Sequence, residues 1–178
     1  MDEATCRRVQ AAMDAGVSEP TEILEDDIEL VEDARRASHI EVPDAILDLI
    51  EACLDAQRDA IGAFFGRPLR SREGVSLLRY DPGGFYGPHV DRAEVPSWPD
   101  AAAREVTVVL FLNGSRDRDA GGAFDGGVLR LHPDDPDAAP IDITATQGTL
   151  VAFPSHTVHE VTPVTGGTRD TAVDWFRC

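Results

Sequence analysis

Three short stretches carry the residues capable of chemistry in this 178-residue chain. The first is His89-Val90-Asp91, which closes the segment DPGGFYGPHVD. In extended chain, residues two apart project from one face, so His89 and Asp91 can reach the same ion while Val90 points away. His-x-Asp alone is a common accident, and a metal needs a third ligand downstream. His39 lies upstream, and His132 sits in LRLHPDD at a strand end before a turn and reads as a surface residue. The second stretch, FPSHTVHEVTPV, holds His156 and His159, which in extended chain face opposite ways, so one of them completes the set. Two histidines and a carboxylate leave open positions on the ion, the arrangement suited to non-haem Fe(II) oxygen chemistry, and with no cysteine nearby a thiolate site is disfavoured. The third stretch is Arg169-Asp170-Thr171, which puts Arg169 and Thr171 on one face. A guanidinium fork beside a hydroxyl matches a distal carboxylate. So soon after a candidate metal histidine, it reads as the anchor of a bidentate co-substrate.

These stretches need a scaffold. EATCRRVQAAMDA predicts a helix over 3–15 with Val9, Ala12 and Met13 on one side and Gly16 as its stop. The acidic VSEPTEILEDDIELVEDARR has its Ile23, Leu24, Ile28, Leu30 and Val31 at no regular period and reads as mixed loop and strand. ASHIEV alternates, and Pro43 is expected at the first position of a helix running to about Phe65. In that helix Ile46, Leu49, Ile50, Cys53, Leu54, Ile61, Phe64 and Phe65 form a core-facing stripe, and Gly66 ends it with Pro68 beyond. From there the chain changes character. GVSLLRY, REVTVVLFLN, GGVLRLH, IDITAT, GTLVAFP, HEVTPV and DTAVDWF are short β-branched or aromatic runs separated by Gly, Pro, Asn and Asp. Without a fixed repeat, a solenoid or propeller is not supported. Helices followed by many short strands predict a mainly β fold, an antiparallel sandwich or jelly roll buttressed by N-terminal helices, in one domain.

Composition narrows the partners. The formal charge of −17 arises from 33 acidic residues against 16 basic ones, all of them arginine. Such a field repels phosphate backbones and anionic membrane surfaces, and suits a cationic or neutral substrate better, although its first role is solubility. The opening MDEATCRRVQ has no apolar core, and no run approaches bilayer length, so a cytoplasmic location and no membrane partner are expected. Cys6, Cys53 and Cys178 stand far apart and read as reduced thiols.

From about Val75 to Phe176 the chain resembles the prolyl-4-hydroxylase-type branch of the Fe(II)/2-oxoglutarate-dependent dioxygenases. The resemblance runs in order through LLRYDPGGFYGPHVD, VTVVLFLN, GGVLRLHPDD and GTLVAFPSHTVHEVTPVTGGTRDTAVDWF. The helix in IEVPDAILDLIEACLDAQRDAIGAFFG is similar to the support helix that precedes the barrel in this family. The resemblance implies a double-stranded β-helix, with 1–74 as support region and 75–178 as jelly-roll catalytic core. It implies that His89, Asp91 and His159 are the iron ligands, that Arg169 holds the C5 carboxylate of 2-oxoglutarate, and that Tyr80 lines the co-substrate pocket; His156 matches no ligand position. Thr107, Val109, Phe111, Val173 and Trp175 would point into the barrel. Phe111 departs from relatives that place a tyrosine there, and Thr171 or Tyr80 would substitute for its hydroxyl.

The implied cofactor set is Fe(II), with 2-oxoglutarate and O2 as co-substrates, and the implied reaction couples decarboxylation to succinate with oxidation of an unactivated C–H. In related halogenases a small residue stands where Asp91 stands, so Asp91 implies hydroxylation or a related desaturation, cyclisation or epoxidation. The loops RAEVPSWPDAAARE and GSRDRDAGGAFDGG are candidate lids, with Arg92 and Trp98 as candidate substrate contacts. The expected substrate is a small amino-acid-like, peptide-like or natural-product molecule. The alternatives are a prolyl or other residue of a protein and, outside enzymes, a cupin-like metal module or inactive relative, against which Arg169 argues. Nucleic-acid demethylation is opposed by the charge.

Overall fold

A computed structural model describes residues 1–21, 34–93, 99–117, 122–135 and 137–178. The irregular apolar residues between Ile23 and Val31, and Trp98, lie outside that set.

The first helix, α1 (Glu3–Ala15), is capped by Asp2, whose carboxylate accepts from the Thr5 amide at 2.8 Å. It buries Cys6, Val9 and Met13. Gly16 ends it in extended rather than left-handed conformation. Glycine is required there by close approach, since a Cβ would lie 2.3 Å from the Glu41 carbonyl oxygen. Three strands follow: β1 (Val17–Pro20), β2 (Arg35–Arg36) and β3 (Ser38–Glu41).

The long helix α2 spans Asp44–Phe65. Pro43 is its N-cap and not its first helical residue. Its φ of −59° suits a helix, but its ψ of 144° is extended, and its carbonyl accepts from the Ile46 amide. Ile46, Ile50 and Leu54 are buried, each contributing about 1.5–3 kcal/mol. Phe64 is 84% exposed, against the expected stripe. At Gly62 the helix face is met by the returning chain, with a Cβ there only 2.7 Å from the Arg67 carbonyl oxygen, and Phe64 lies beyond that contact. Gly66 closes the helix in left-handed conformation, φ 65°.

The remaining elements are β4 (Ser71–Arg72), β5 (Ser76–Tyr80), β6 (Phe85–His89), α3 (Pro99–Ala102), β7 (Val106–Phe111), β8 (Phe124–Gly126), β9 (Leu129–His132), β10 (Ile141–Ile143), β11 (Leu150–Pro154), β12 (Val158–Val161), β13 (Val164–Gly167) and β14 (Arg169–Arg177). Antiparallel pairing builds a larger sheet in the order β1-β3-β5-β14-β7-β11, with β4 on β14, and a smaller sheet in the order β10-β9-β12-β6-β2. The hairpin-like pair β13-β8 stands apart from both.

Every residue of β7 is buried, because its two faces serve two cores. Val106, Val108 and Leu110 pack with Ile50, Leu54 and Phe176 under the helices. Val109 and Phe111 pack with Leu78, Tyr80, Phe153 and Val161 between the sheets. Helices on the outer face of the larger sheet, and an inner space closed by the smaller one, make the double-stranded β-helix expected from the resemblance. Thr107, Val109, Val173 and Trp175 face that inner space as expected.

The opening segment is only half a turn. Asp81–Gly84 turns, with the Gly84 amide bonded to the Asp81 carbonyl at 2.7 Å and Gly83 at φ 85°. Phe85–His89 is then a strand despite Gly87 and Pro88. The turn carries the chain from β5 in one sheet to β6 in the other. Opposite β6, the partner strand β12 shifts register between His159 and Val161: His159 pairs with His89, but Val161 pairs with Tyr86. The extra residue on β6 is a bulge, and it puts Tyr86 and His89 on the same inner face.

Candidate metal centre

His89 ends β6, His159 lies directly across from it on β12, and Asp91 follows just past the strand. Their ligand atoms lie within 4.8 Å of one another. The Asp91 carboxylate is central, with Oδ1 3.6 Å from His89 Nε2 and Oδ2 3.4 Å from His159 Nε2. Both imidazoles are oriented by backbone. His89 Nδ1 is 2.9 Å from the Gly87 carbonyl oxygen, and His159 Nδ1 is 2.9 Å from that of Thr157. A carbonyl can only accept, so each Nδ1 carries the proton and each Nε2 presents its lone pair to the shared space.

Asp91 is also fixed from behind. The Thr107 hydroxyl donates to its Oδ2 at 2.7 Å and lies 3.0 Å from the Ser155 hydroxyl. The Asp91 amide donates to the Ser155 carbonyl, and Arg104 donates to the Asp91 carbonyl at 3.1 Å. Burial alone would raise the Asp91 carboxyl, but a hydrogen bond from His89 and the positive charge that His159 and His89 carry when protonated, with help from the Thr107 hydroxyl, hold it well below the usual range. Burial pushes the His159 imidazole down, which favours the neutral ring a metal needs. The donor set, one anionic oxygen and two neutral imidazole nitrogens, fits a ferrous ion.

The second requirement is a carboxylate anchor. Arg169, 1% exposed at the start of β14, is buried between aromatic faces, its guanidinium carbon 5.1 Å from the Tyr80 ring centre and 4.9 Å from that of Phe111. Its Nη1 has one long contact, 3.5 Å to the Thr171 hydroxyl. Its Nε and Nη2 are buried with no hydrogen-bond partner. Burial pushes this guanidinium down to about 10. A buried cation with two unused donors is costly unless an anion completes it, so the residues fit 2-oxoglutarate. Gly127 makes room for the arm: at φ 58°, a Cβ there would lie 2.9 Å from Arg169 Cδ.

A cavity of about 480 Å³ contains the triad, Arg169, Tyr80 and Thr171 together. The six residues expected to hold metal or co-substrate therefore face one space. The structure sorts the other histidines: His156 is exposed, and His132 pairs with Glu160 at 3.1 Å on the outside. His39, set aside as upstream, lines the cavity from β3. Arg92 does not line it; its side chain pairs with Glu105 at 2.7 Å. Of the two candidate lids, the first contributes Ala93 and Ala101 to the wall.

Sequence reasoning missed several contributors. Arg104 is buried, paired with Glu73 at 2.5 and 2.7 Å, and stacked 3.8 Å over Trp175. Tyr86 stacks on His89 with ring centres 3.5 Å apart and an interplanar angle of 15°. Arg35 lies 4.5 Å over the Tyr86 ring. The Thr107 bond to Asp91 was half-legible, because alternation along β7 sets Thr107 on one face with Val109 and the resemblance turns that face inward.

Comparisons with known proteins agree with this geometry. A family model described as the 2OG-Fe(II) oxygenase superfamily matches residues 75–177. A PKHD-type hydroxylase of Sphingopyxis alaskensis is 36% identical over 102 residues, which cover 57% of this chain and 42% of the relative. Another, of Gloeothece citriformis, is 35% identical over 127 residues, covering 67% of this chain and 51% of the relative. The chain spans about half the length of the curated relatives it matches. The crystal structure of a Pseudomonas putida prolyl-4-hydroxylase superposes with a TM-score of 0.73 at 27% identity, covering 99% of this chain and 88% of that one.

Proposed function

The chain belongs to the 2OG-Fe(II) oxygenase superfamily, and from that footing we propose that it is an Fe(II)- and 2-oxoglutarate-dependent hydroxylase of a small amino-acid-like, peptide-like or natural-product substrate. The observation that carries this reading is the buried Arg169 fork, with two donors unpaired, in the same cavity as the His89, Asp91 and His159 cluster. His89 and His159 would hold the metal through Nε2 and Asp91 through a carboxylate oxygen. Arg169 would hold the C5 carboxylate of 2-oxoglutarate, with Thr171 beside it and Tyr80 and Phe111 as its walls. Bound Fe(II) with 2-oxoglutarate supplies O2 activation, oxidising the co-substrate to succinate and CO2 and inserting one oxygen into a C–H bond.

The protein's own residues orient and seclude. Two backbone carbonyls set the tautomers of His89 and His159, and Thr107 and Arg104 hold Asp91 and its backbone against the larger sheet. The apolar lining formed by Leu78, Val109, Leu129 and Val161 keeps water from the Arg169 fork, which strengthens its interaction with a carboxylate. With Phe111 in place of a tyrosine, the Thr171 hydroxyl lies 3.5 Å from Arg169 Nη1 and the Tyr80 phenol is close enough to act on the guanidinium electrostatically.

Hydroxylation of a prolyl residue in a protein is the second reading, favoured by the likeness to the Pseudomonas putida prolyl-4-hydroxylase. Net charge disfavours a nucleic-acid substrate. No helix among the described residues is long and apolar enough to cross a membrane. A ferrous requirement and three free thiols suit the reducing cytoplasm. The test is aerobic incubation with Fe(II) and 2-oxoglutarate over free amino acids, peptides and small metabolites, read by succinate and by products heavier by one oxygen atom. Succinate and oxygenated product are expected with the parent and absent from His89→Ala and His159→Ala. If the parent binds no metal at the triad, or binds 2-oxoglutarate equally without Arg169, the reading fails.

A further inference from the structure

Three arginines line the cavity among the described residues: Arg35, Arg104 and Arg169. Arg104 is occupied by Glu73. Arg169 is the anchor assigned above to the co-substrate. Arg35, half-buried on β2, has its Nε buried without a hydrogen-bond partner, and no described carboxylate forms an ion pair with it. In a chain with 33 acidic residues against 16 arginines, a cavity arginine that pairs with no described carboxylate calls for an explanation. A solvent-facing side chain would need none, but this Nε has been removed from water, and an orphaned buried donor costs about 1–3 kcal/mol.

Its position says what it serves. Arg35 pairs across strands with Tyr86, Tyr86 with Val161, and Val161 with Leu129, and all four line the cavity. The Arg35 guanidinium is held 4.5 Å over the Tyr86 ring, and that ring stacks 3.5 Å from the His89 ring. Laid end to end, the two separations put the guanidinium within roughly 8 Å of a triad imidazole. A guanidinium held over a ring by cation–π contact can lie on it by its face and keep its N–H edge for a planar anion. A carboxylate is the planar anion that this edge matches in bidentate fashion.

We propose that Arg35 is the substrate anchor, and that the substrate of this hydroxylase is a small carboxylic acid whose carboxylate pairs with Arg35 and whose oxidised carbon lies a few bonds away, beside the triad. This rests on the reading of Arg169 as the co-substrate anchor and gives that reading a substrate class. It also corrects the expectation from net charge. The field of the whole chain favours neutral or cationic partners, but two guanidinium groups in the cavity wall form no ion pair with a described carboxylate, and a short-range bidentate pair outweighs a screened field. The acid group belongs either to a free amino acid or to another small acid, and the same chemistry recognises both.

The experiment uses the full chain loaded with Mn(II), which does not turn over, and with 2-oxoglutarate. Pairs of small acids and their primary amides, with L-amino acids and their carboxamides as one arm and non-amino acids as the other, are titrated by ligand-observed NMR against the parent, Arg35→Gln and Arg35→Lys. At least one acid is expected to bind the parent about ten- to a hundred-fold more tightly than its amide, and to lose that preference in Arg35→Gln, the range expected for a charge-assisted pair. Arg35→Lys should retain part of it, since the charge stays and the fork is lost. A 2-oxoglutarate titration on each variant reports an intact site and separates the two assignments. Parent protein that prefers no acid over its amide overturns the proposal, as does an acid preference that survives in Arg35→Gln. Loss of 2-oxoglutarate binding in Arg35→Gln while Arg169→Gln keeps it would overturn both assignments together; loss in Arg169→Gln alone leaves the premise standing.

Discussion

Replacing Arg169 by methionine should stabilise the empty fold while destroying its response to co-substrate. Burial lowers the guanidinium well below its ordinary value, to about 10, which at about 1.4 kcal/mol per tenfold change in proton affinity is a penalty of roughly 3 kcal/mol. For a cation whose folded value is depressed, the penalty is present in full below the folded value, so it applies at neutral pH and fades only above about 10. Methionine fills much of the same volume between Tyr80 and Phe111 without a charge or an unused donor. For a chain of this size about 3 kcal/mol corresponds to a rise of roughly 5 to 10 °C in Tm. The assay is thermal unfolding of parent and Arg169→Met in the presence of Mn(II), each with and without 2-oxoglutarate. Saturating co-substrate at about a hundred times its Kd should raise parent stability by about 2.7 kcal/mol and leave the variant where it was. A variant less stable than the parent when both are empty would show that the orphaned donors are satisfied in some other way. A variant still stabilised by 2-oxoglutarate would show that the anchor is elsewhere.

Three further outcomes are expected. Thr107→Val keeps the shape of the side chain but removes the 2.7 Å bond to Asp91, and Mn(II) titration should show metal affinity about 10- to 100-fold weaker. Gly127→Ala, at a left-handed position where the new Cβ would press on Arg169, should weaken 2-oxoglutarate binding several-fold while metal affinity stays within about twofold, the two being titrated separately. His159→Ala should abolish metal binding, whereas His156→Ala, whose ring is exposed, should leave it intact; the reverse result in the same titration would replace the third ligand.

Some of this protein is legible along the chain because its cause is local. The 3.6-residue stripe of Ile46, Ile50 and Leu54 predicts α2 and its buried face, and Gly66 marks its end by a conformation other residues resist. Alternation predicts that Thr107, Val109, Val173 and Trp175 share the inner space. The same parity sets Arg169 and Thr171 side by side. What alternation cannot do is choose between faces that are equivalent until strands pair. It separates His156 from His159 without saying which is the ligand, and the choice came from resemblance; in the fold it is His159 that lies across from His89. Parity also misplaces Tyr86 relative to His89, because a bulge adds one residue to β6 and returns both rings to one side. Phe64 keeps the helical period and is still exposed, since period fixes a direction while burial depends on what stands there.

By itself, then, the sequence determined α1, α2 and the longer strands such as β5, β7, β11 and β14, the local pairing of His89 with Asp91 and of Arg169 with Thr171, and the family. Only the tertiary structure decided that Arg35 and His39, from before α2, reach the same cavity as residues from β14, and that Arg104 is occupied by Glu73 while Arg35 and Arg169 pair with no described carboxylate. The reason is physical: periodicity is set by bonds between neighbours, but whether a charge is buried, paired or left waiting for a ligand depends on groups that strand pairing brings from far along the chain.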